Sequence, residues 1–154
     1  MALKPGDKAP DFTLLDQNGE KFTLSKSIKQ RKVWHLIYFY PKADTPGCTA
    51  QACGLRDAAP QIGDTQVLGI SPDPPARQQK FDTKYGLGFP LLADEDHAVA
   101  DAYGVWGEKS MYGKKYFGIV RSAFLIDEKG KIAEAWYKVS PAATTTNLLA
   151  ALKG

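Results

Sequence analysis

Positions 33–40 carry an almost unbroken run of apolar and aromatic residues, Val-Trp-His-Leu-Ile-Tyr-Phe-Tyr, and no other segment restricts the folding of this chain as strongly. A run of this kind, closed by Pro41, predicts a central strand that is buried on both faces of its sheet. Helices must then cover both faces, so the run predicts a layered fold of strands and helices.

The rest of the chain alternates short extended and helical patterns. Asn18-Gly19, between two extended pieces, is a strong turn signal and predicts a β-hairpin near the N-terminus. Ser140 or Thr144 is a candidate N-cap for a last helix. We predict one α/β domain over residues 1–154, with a mixed central sheet flanked by helices. The predicted strands are 12–15, 21–24, 33–40, 67–71, 90–93, 116–120, 123–127 and 132–139, and the predicted helices are 25–29, 46–59, 75–85, 97–103 and 144–153.

Composition and charge exclude several classes of function. With 44% hydrophobic and 24% charged residues, the chain is typical of a soluble globular protein. Its net charge is +3 and its basic residues are scattered, so neither a nucleic acid nor a membrane is expected as a partner. No segment approaches the roughly 20 apolar residues of a membrane-spanning helix. Residues 1–12 lack the apolar core of a signal peptide, so we expect a cytoplasmic protein, unless an organellar transit peptide has been removed.

Cys48 and Cys53 are the two cysteines of the chain. A disulfide between them would close a very short loop and add little stability, which points to reactivity rather than to a structural role. Cys48 follows the buried strand and falls in the first turn of the helix predicted at 46–59. Loops at the carboxyl ends of core strands are where α/β proteins place their sites.

The position of Cys48 favours its ionised form. Unpaired backbone N–H groups and the positive end of the helix dipole lie in the first turn of a helix, and the thiolate is the nucleophilic form of cysteine. A thiolate that cleaves a peroxide also needs groups that hold the substrate and stabilise charge on the departing oxygen. The candidates are the N–H groups of Gly47 and Cys48, the hydroxyl of Thr45, and the guanidinium of Arg121, which stands alone among apolar residues.

Helix geometry limits how Cys53 can react. Across five residues a helix rises about 7.5 Å and turns the two side chains about 140° apart, whereas a disulfide needs Cα atoms within about 7 Å of each other. A bond between Cys48 and Cys53 therefore requires the first turns of the helix to unwind. We infer oxidation of Cys48 to a sulfenic acid, local unfolding, condensation with Cys53, and later reduction of the disulfide by a partner dithiol.

Histidines and tryptophans have simpler interpretations. His35 lies within the central strand and is predicted to be a packed core or edge residue, and His97 to lie at the surface or at a helix start. Trp106 is predicted to pack in the core or in a lid, with the approach of the substrate as the alternative. No spacing of cysteine and histidine resembles a zinc site, so neither a metal nor another cofactor is predicted.

The segment around the first cysteine resembles the active site of a known family. The motif Pro41-x-x-x-Thr45-x-x-Cys48 is similar to that of the peroxiredoxins, and its flanks, from Phe39 to Cys53, resemble the peroxiredoxin Q subfamily, also called bacterioferritin comigratory proteins. The resemblance covers most of the chain, including residues 11–14, 103–106, 112–114 and 121–127.

The resemblance implies a thioredoxin-like fold and the reduction of hydrogen peroxide and organic hydroperoxides by a monomer. It implies thioredoxin or a similar dithiol as the reductant. Cys48 would be the peroxidatic cysteine and Cys53 the resolving cysteine. The other family positions fall on Thr45, on Arg121 and on Pro41, which would shield the thiolate from water.

Gln51 departs from the pattern of the family, many members of which carry glutamate at this position. Loss of the carboxylate changes the hydrogen bonding available around the first helical turn. The sequence leaves open whether the amide replaces the carboxylate as an acceptor.

Other functions remain open from the residues alone. A thiol–disulfide oxidoreductase on the same fold would need a Cys-x-x-Cys pair, which this chain lacks. A redox sensor would oxidise rapidly at Cys48 without efficient turnover by a dithiol. A binding module with inert cysteines would show an unperturbed thiol titration.

Overall fold

The apolar run forms the strand β3 (His35–Phe39), and each of its residues is buried. It pairs in parallel with β4 (Gln66–Ser71) and antiparallel with β8 (Ser122–Ile126), so it has a neighbouring strand on each side. The computed structural model, which describes residues 2–153, thereby confirms the predicted central strand.

The other elements follow the predicted alternation closely. The remaining strands are β1 (Thr13–Leu15), β2 (Lys21–Thr23), β5 (Leu91–Ala93), β6 (Trp106–Met111), β7 (Lys114–Ile119) and β9 (Ile132–Trp136), and the helices are α1 (Leu24–Arg31), α2 (Pro46–Asp57), α3 (Pro75–Tyr85), α4 (Ala98–Ala102) and α5 (Pro141–Lys153), with a 3-10 turn at Ala59–Gln61. Helix α2 ends at Asp57 rather than at 59, and α5 begins at Pro141 rather than at 144.

Within residues 2–153, seven of the strands form one mixed sheet in the order β2-β1-β5-β4-β3-β8-β9. The antiparallel pairing of β1 with β2 confirms the N-terminal hairpin. The parallel pairs β3–β4 and β4–β5 lie at the centre, and antiparallel strands flank them. This mixed sheet, with helices on both faces, confirms the predicted thioredoxin-like α/β fold.

Alternate side chains of β3 enter two separate cores. On one side, which we call the α2 face, Leu36 and Tyr38 pack in a cluster with residues of α2, α3 and α5. On the other side, which we call the aromatic face, Ile37, Phe39 and Phe124 pack in a cluster with residues of α1 and α4. The period of two along a strand thus gives each layer of helices its own half of the core.

Strand β6 is the element that the sequence prediction missed. It contains Gly107, Glu108 and Lys109, which have a low preference for strands. It forms as the antiparallel partner of β7, where Glu108 lies opposite Phe117, in a hairpin separate from the main sheet. No helix within residues 2–153 combines the length and the apolar character needed to cross a membrane.

Candidate active site

The loop after β3 delivers Cys48 to the start of α2. Thr45 occupies the N-cap position with an extended backbone (φ −102°, ψ 157°), and Pro46 takes the first helical position, where no N–H is needed. The N–H of Thr49 bonds to the carbonyl of Thr45 at 2.8 Å. The preceding N–H groups, those of Gly47 and Cys48, therefore have no acceptor within the helix and point to its open end.

Cys48 lies beside a fixed positive charge. Its side chain is buried, with the residue 1% exposed, and its sulfur is 3.4 Å from Nη2 of Arg121. Arg121 reaches this place because the register of β3 and β8 pairs Phe39 with Ser122, so the residue before β8 lies beside the end of β3. Arginine stays protonated in proteins, so a permanent positive charge lies next to the sulfur of Cys48.

Gly47 leaves room for this contact. A Cβ at position 47 would lie 3.2 Å from Nη2 of Arg121 and 3.6 Å from Cγ of Pro141. A larger residue would press on the guanidinium, because the backbone of α2 and the side chain of Arg121 approach so closely here. The glycine therefore helps to keep the cation near the sulfur.

Thr45 makes no side-chain cap to α2. Its hydroxyl donates instead to the carbonyl of Lys42 at 2.9 Å, within the loop that precedes the helix. A hydroxyl that donates one hydrogen bond keeps its lone pairs free to accept another. Thr45, Gly47, Pro41 and Arg121 are half-buried, and of these Arg121 makes a side-chain contact with the sulfur of Cys48.

Gln51 answers the question that the sequence left open. Its Oε1 accepts a hydrogen bond from Nη1 of Arg121 at 2.7 Å, so the amide does supply the acceptor. Its Nε2 donates to Oγ1 of Thr144 in α5 at 2.8 Å, which a carboxylate could not do. Because Gln51 is neutral, no carboxylate of this side chain competes with Cys48 for the charge of Arg121.

Ser140, rather than Thr144, caps the last helix. Its hydroxyl accepts from the N–H of Ala143 at 3.1 Å, and its carbonyl accepts from the N–H of Thr144 at 3.2 Å. Thr144 lies inside the first turn of α5 and is fully buried against α2. The alternative in which Thr144 is the cap is wrong, because the helix begins three positions before it, at Pro141.

The loop before Cys48 is tied to the neighbouring elements. The carboxylate of Asp73, after β4, accepts from the N–H of Ala43 at 2.7 Å. Asp44 accepts from Nζ of Lys84 at 3.0 Å and from the hydroxyl of Tyr85 at 2.9 Å. The sequence does not reveal these anchors, because their partners are 30 to 41 residues away and no local pattern marks them.

Cys53 lies further along the same intact helix. Both cysteines are free thiols, and Cys53 is half-buried. It packs against the core cluster that contains Cys48. Helix α2 is thus fully folded with both cysteines as free thiols.

A second cation lies near the pair of Cys48 and Arg121. Lys109 of β6 is half-buried and donates to the carbonyl of Ile119 at 2.7 Å. Burial and the charge of Arg121 lower the pKa of Lys109, and the charge of a thiolate at Cys48 opposes that shift. The sequence does not mark Lys109 as a site residue, because the pairing of β6 with β7 is what brings it here.

Tyr38 contributes a buried hydroxyl without a hydrogen-bond partner among residues 2–153. Its ring stacks on that of Tyr40 with centroids 5.4 Å apart. Burial raises the pKa of Tyr38 well above its ordinary value. Gly69 faces this hydroxyl, and a Cβ there would lie 2.9 Å from it. The α2 face therefore contains an unsatisfied polar atom beneath the helix that carries the cysteines.

The histidines and Trp106 lie where the sequence placed them. His35 is fully buried and bonds to the hydroxyl of Ser27 at 2.8 Å and to the carbonyl of Val33 at 2.9 Å, which confirms a core role. Trp106 stacks on His97, at the start of α4, with ring centroids 3.8 Å apart, which confirms a packing role. Within residues 2–153, no cluster of three or more potential metal ligands is found.

A thioredoxin-like fold that holds a cysteine at a helix start, in contact with a guanidinium, defines a class of cysteine-based peroxidases. A family model described as the AhpC/TSA family matches residues 5–135. Peroxiredoxin Bcp of Escherichia coli (strain K12) is 54% identical over 132 residues, 84% of this chain and 83% of that protein. The chain therefore belongs to the AhpC/TSA family.

Solved structures agree. One such structure is of the bacterioferritin comigratory protein of Xanthomonas campestris, in a study of its alkyl peroxide reduction activity. It has a TM-score of 0.84 and 38% sequence identity to this chain, and the match covers 92% of this chain and 90% of that chain. The structure of a cysteine-to-serine variant of PrxQ from Xylella fastidiosa has a TM-score of 0.90 and 32% sequence identity. This match covers 99% of this chain and 97% of that chain. The resemblance to peroxiredoxin Q is confirmed, and the chain is a peroxidase that uses a hydroperoxide and a dithiol reductant.

Proposed function

We propose that Cys48 is the peroxidatic cysteine and that Arg121, Thr45, Gly47 and Pro41 complete its site. The observation that carries this proposal is the contact of 3.4 Å between the sulfur of Cys48 and Nη2 of Arg121, at the open end of α2. A permanent cation and free N–H groups at one sulfur can stabilise the negative charge that develops beside it during the reaction.

In the first step the thiolate of Cys48 attacks one oxygen of the hydroperoxide. An S–O bond forms, the O–O bond breaks, and the second oxygen leaves with the electron pair of that bond. Cys48 becomes a sulfenic acid, and the departing oxygen takes up a proton to give water or an alcohol. The N–H groups of Gly47 and Cys48 and the guanidinium of Arg121 are the donors that stabilise this oxygen.

Thr45 and Pro41 orient the substrate and keep water away. The hydroxyl of Thr45 already donates to Lys42, so its lone pairs are available to accept the O–H of the hydroperoxide. Pro41 lies two residues after the end of β3 and, being half-buried and without an N–H, would cover the thiolate without offering it a competing donor.

In the second step the sulfenic acid of Cys48 condenses with the thiol of Cys53. The products are a disulfide and one water molecule, and a dithiol, which we propose to be thioredoxin or a similar protein, then reduces the disulfide by exchange. Both cysteines lie in α2, where five residues of helix separate them by about 7.5 Å along the axis. The condensation therefore requires α2 to unwind between them, because a disulfide needs Cα atoms within about 7 Å.

The matched variants Cys48→Ser and Cys53→Ser test both steps. We expect Cys48→Ser to consume no peroxide, and Cys53→Ser to consume one equivalent and stop, without a disulfide. Thioredoxin-coupled turnover and mass analysis of the oxidised protein measure these outcomes. Peroxide consumption by Cys48→Ser at the rate of the unaltered protein would overturn the assignment of the nucleophile.

Two further expectations belong to this proposal. The resemblance implies a monomer, and we expect a cytoplasmic location. Light scattering of the reduced and of the oxidised protein measures the first of these directly.

A further inference from the structure

Two polar side chains meet in the interface between α2 and α5, and both are completely buried. Gln51 and Thr144 are each 0% exposed, and they are joined by the hydrogen bond of 2.8 Å between Nε2 of Gln51 and Oγ1 of Thr144. Buried polar groups that lose a partner are costly, because water cannot replace it. This pair therefore ties the first two turns of α2 to α5.

The direction of every bond in this group is determined by chemistry. Arginine can only donate, so the atom of Gln51 that faces Arg121 at 2.7 Å is the amide oxygen. The amide nitrogen must then donate to Thr144, whose hydroxyl hydrogen goes to the carbonyl of Ser140 at 3.0 Å. An unbroken series of bonds thus runs from the start of α5 through α2 to the cation beside Cys48.

Unwinding of α2 has to break this series. Gln51 lies between Cys48 and Cys53, so a disulfide between them removes its amide from both Arg121 and Thr144. The anchors that flank this stretch lie outside it: Ala43 bonds to Asp73 before the helix, and Arg56 bonds to the carbonyl of Tyr85 after it. The bond to Thr144 is therefore one of the contacts of residues 46–53 that must be lost, while the flanking ones can persist.

We propose that Thr144 is a positioning residue that holds α2 folded and Arg121 oriented through Gln51, and thereby sets the rate at which Cys53 resolves oxidised Cys48. This inference rests on the proposed disulfide between the two cysteines. Loss of the hydroxyl leaves the amide nitrogen of Gln51 buried without an acceptor in the folded helix, which favours the unwound form. The rate of the first oxidation of Cys48 should change less than the rate of disulfide formation, because that oxidation needs only the folded site.

The test uses Thr144→Val, which keeps the shape of the side chain and removes the hydroxyl, with Thr144→Ala as a second variant and Thr144→Ser as the conservative rescue. Thr146→Val is the matched control, because Thr146 lies in the same helix, is exposed, and donates its hydroxyl to the carbonyl of Ala142 within that helix. The full-length reduced proteins receive one equivalent of hydrogen peroxide, and rapid quenching with mass analysis follows the sulfenic acid and the disulfide.

We expect Thr144→Val and Thr144→Ala to form the disulfide about tenfold faster than the unaltered protein, which corresponds to 1.4 kcal/mol. Amide hydrogen exchange of residues 46–53 in the reduced proteins should be faster by a similar factor. At high peroxide less Cys48 should reach the sulfinic acid, because resolution competes with further oxidation. Thr144→Ser and Thr146→Val should stay within about twofold of the unaltered protein.

Unchanged disulfide formation and unchanged exchange at 46–53 in both Thr144→Val and Thr144→Ala would overturn the role of Thr144 and leave the peroxidase mechanism intact. If instead the unaltered protein forms no bond between Cys48 and Cys53, the proposed mechanism itself fails. The Thr144 variants therefore test the role of Thr144, and the unaltered protein in the same experiment tests the proposed mechanism.

Discussion

The two faces of the central sheet differ in the hydrogen bonding of their buried polar groups. On the aromatic face, rings of Phe39, Tyr103, Phe124 and Tyr137 contact one another at centroid distances of 5.2 to 6.0 Å. The tyrosine hydroxyls there reach backbone carbonyls, as in the bond of 2.7 Å from Tyr103 to Pro10. This face is an ordinary satisfied core, and nothing in the proposed reaction disturbs it.

The α2 face contains the reactive and the unpaired polar groups. Cys48 lies beside Arg121, Gln51 is shared between Arg121 and α5, and the hydroxyl of Tyr38 has no partner among residues 2–153. The proposed disulfide requires part of this face to come apart and form again in every turnover. We therefore expect the aromatic face to act mainly through the global stability of the fold, and the α2 face to combine core packing with the proposed reaction.

The largest effect that we expect is a loss of stability on the aromatic face. Phe124→Ala removes a fully buried ring that makes three aromatic contacts and should lower the free energy of unfolding by about 3–5 kcal/mol. Urea denaturation measures this change, and stopped-flow oxidation of Cys48 should change by less than about threefold. A loss of oxidation rate as large as the loss of stability would remove the distinction between the two faces.

Substitution of Arg121 on the α2 face should have the reverse pattern, with a larger effect on the rate of Cys48 oxidation than on the free energy of unfolding. Arg121→Met removes the charge next to Cys48 and should slow oxidation by a factor of about 10²–10³, the effect of losing one well-placed donor in other enzymes. The oxidation rate of Arg121→Lys should fall between those of Arg121→Met and the unaltered protein, because one ammonium cannot reproduce the forked guanidinium that contacts both Cys48 and Gln51. Arg31→Met, at the exposed end of α1, is the control and should leave the rate unaltered. Equal rates for all three variants would exclude Arg121 from the reaction.

Two neighbouring tyrosines of the α2 face should respond with opposite signs. Tyr38→Phe removes a buried hydroxyl without a partner among residues 2–153 and should raise the free energy of unfolding by about 1 kcal/mol. Tyr40→Phe removes a hydroxyl that donates to Gln78 and should lower it by about 1 kcal/mol. Parallel urea titrations compare the pair directly. A loss of stability in Tyr38→Phe would mean that this hydroxyl is satisfied in solution.

The smallest effect concerns pH and His35. Burial lowers the pKa of His35 below its ordinary value of 6.5, although the carbonyl of Val33 partly offsets this. Below pH 6.5 the unfolded chain binds a proton at this residue that the folded protein takes up only at lower pH, so stability should fall as the pH drops through that interval. Denaturation from pH 7.5 to 5 should show the decline, and His35→Gln should flatten it. Identical slopes for both proteins would place the pH dependence elsewhere.

Much of this molecule follows from patterns that are local in the chain. The run at 33–40 predicts β3, Asn18-Gly19 predicts the hairpin, and Pro46 marks the start of α2, because each is an effect of side chains on their own backbone. Strand β6 could not be predicted in this way, since its polar residues become extended only by pairing with β7.

The chain by itself determined that Cys48 stands at the open end of a helix, because a proline, a glycine and the end of a buried strand suffice to put it there. The surroundings of that sulfur depend instead on contacts between distant parts of the chain. The register of β8 brings Arg121 to it, and the packing of α5 gives Gln51 its second partner in Thr144. These contacts join residues 70 to 93 positions apart, and such distances are set by how sheets and helices pack rather than by any local preference.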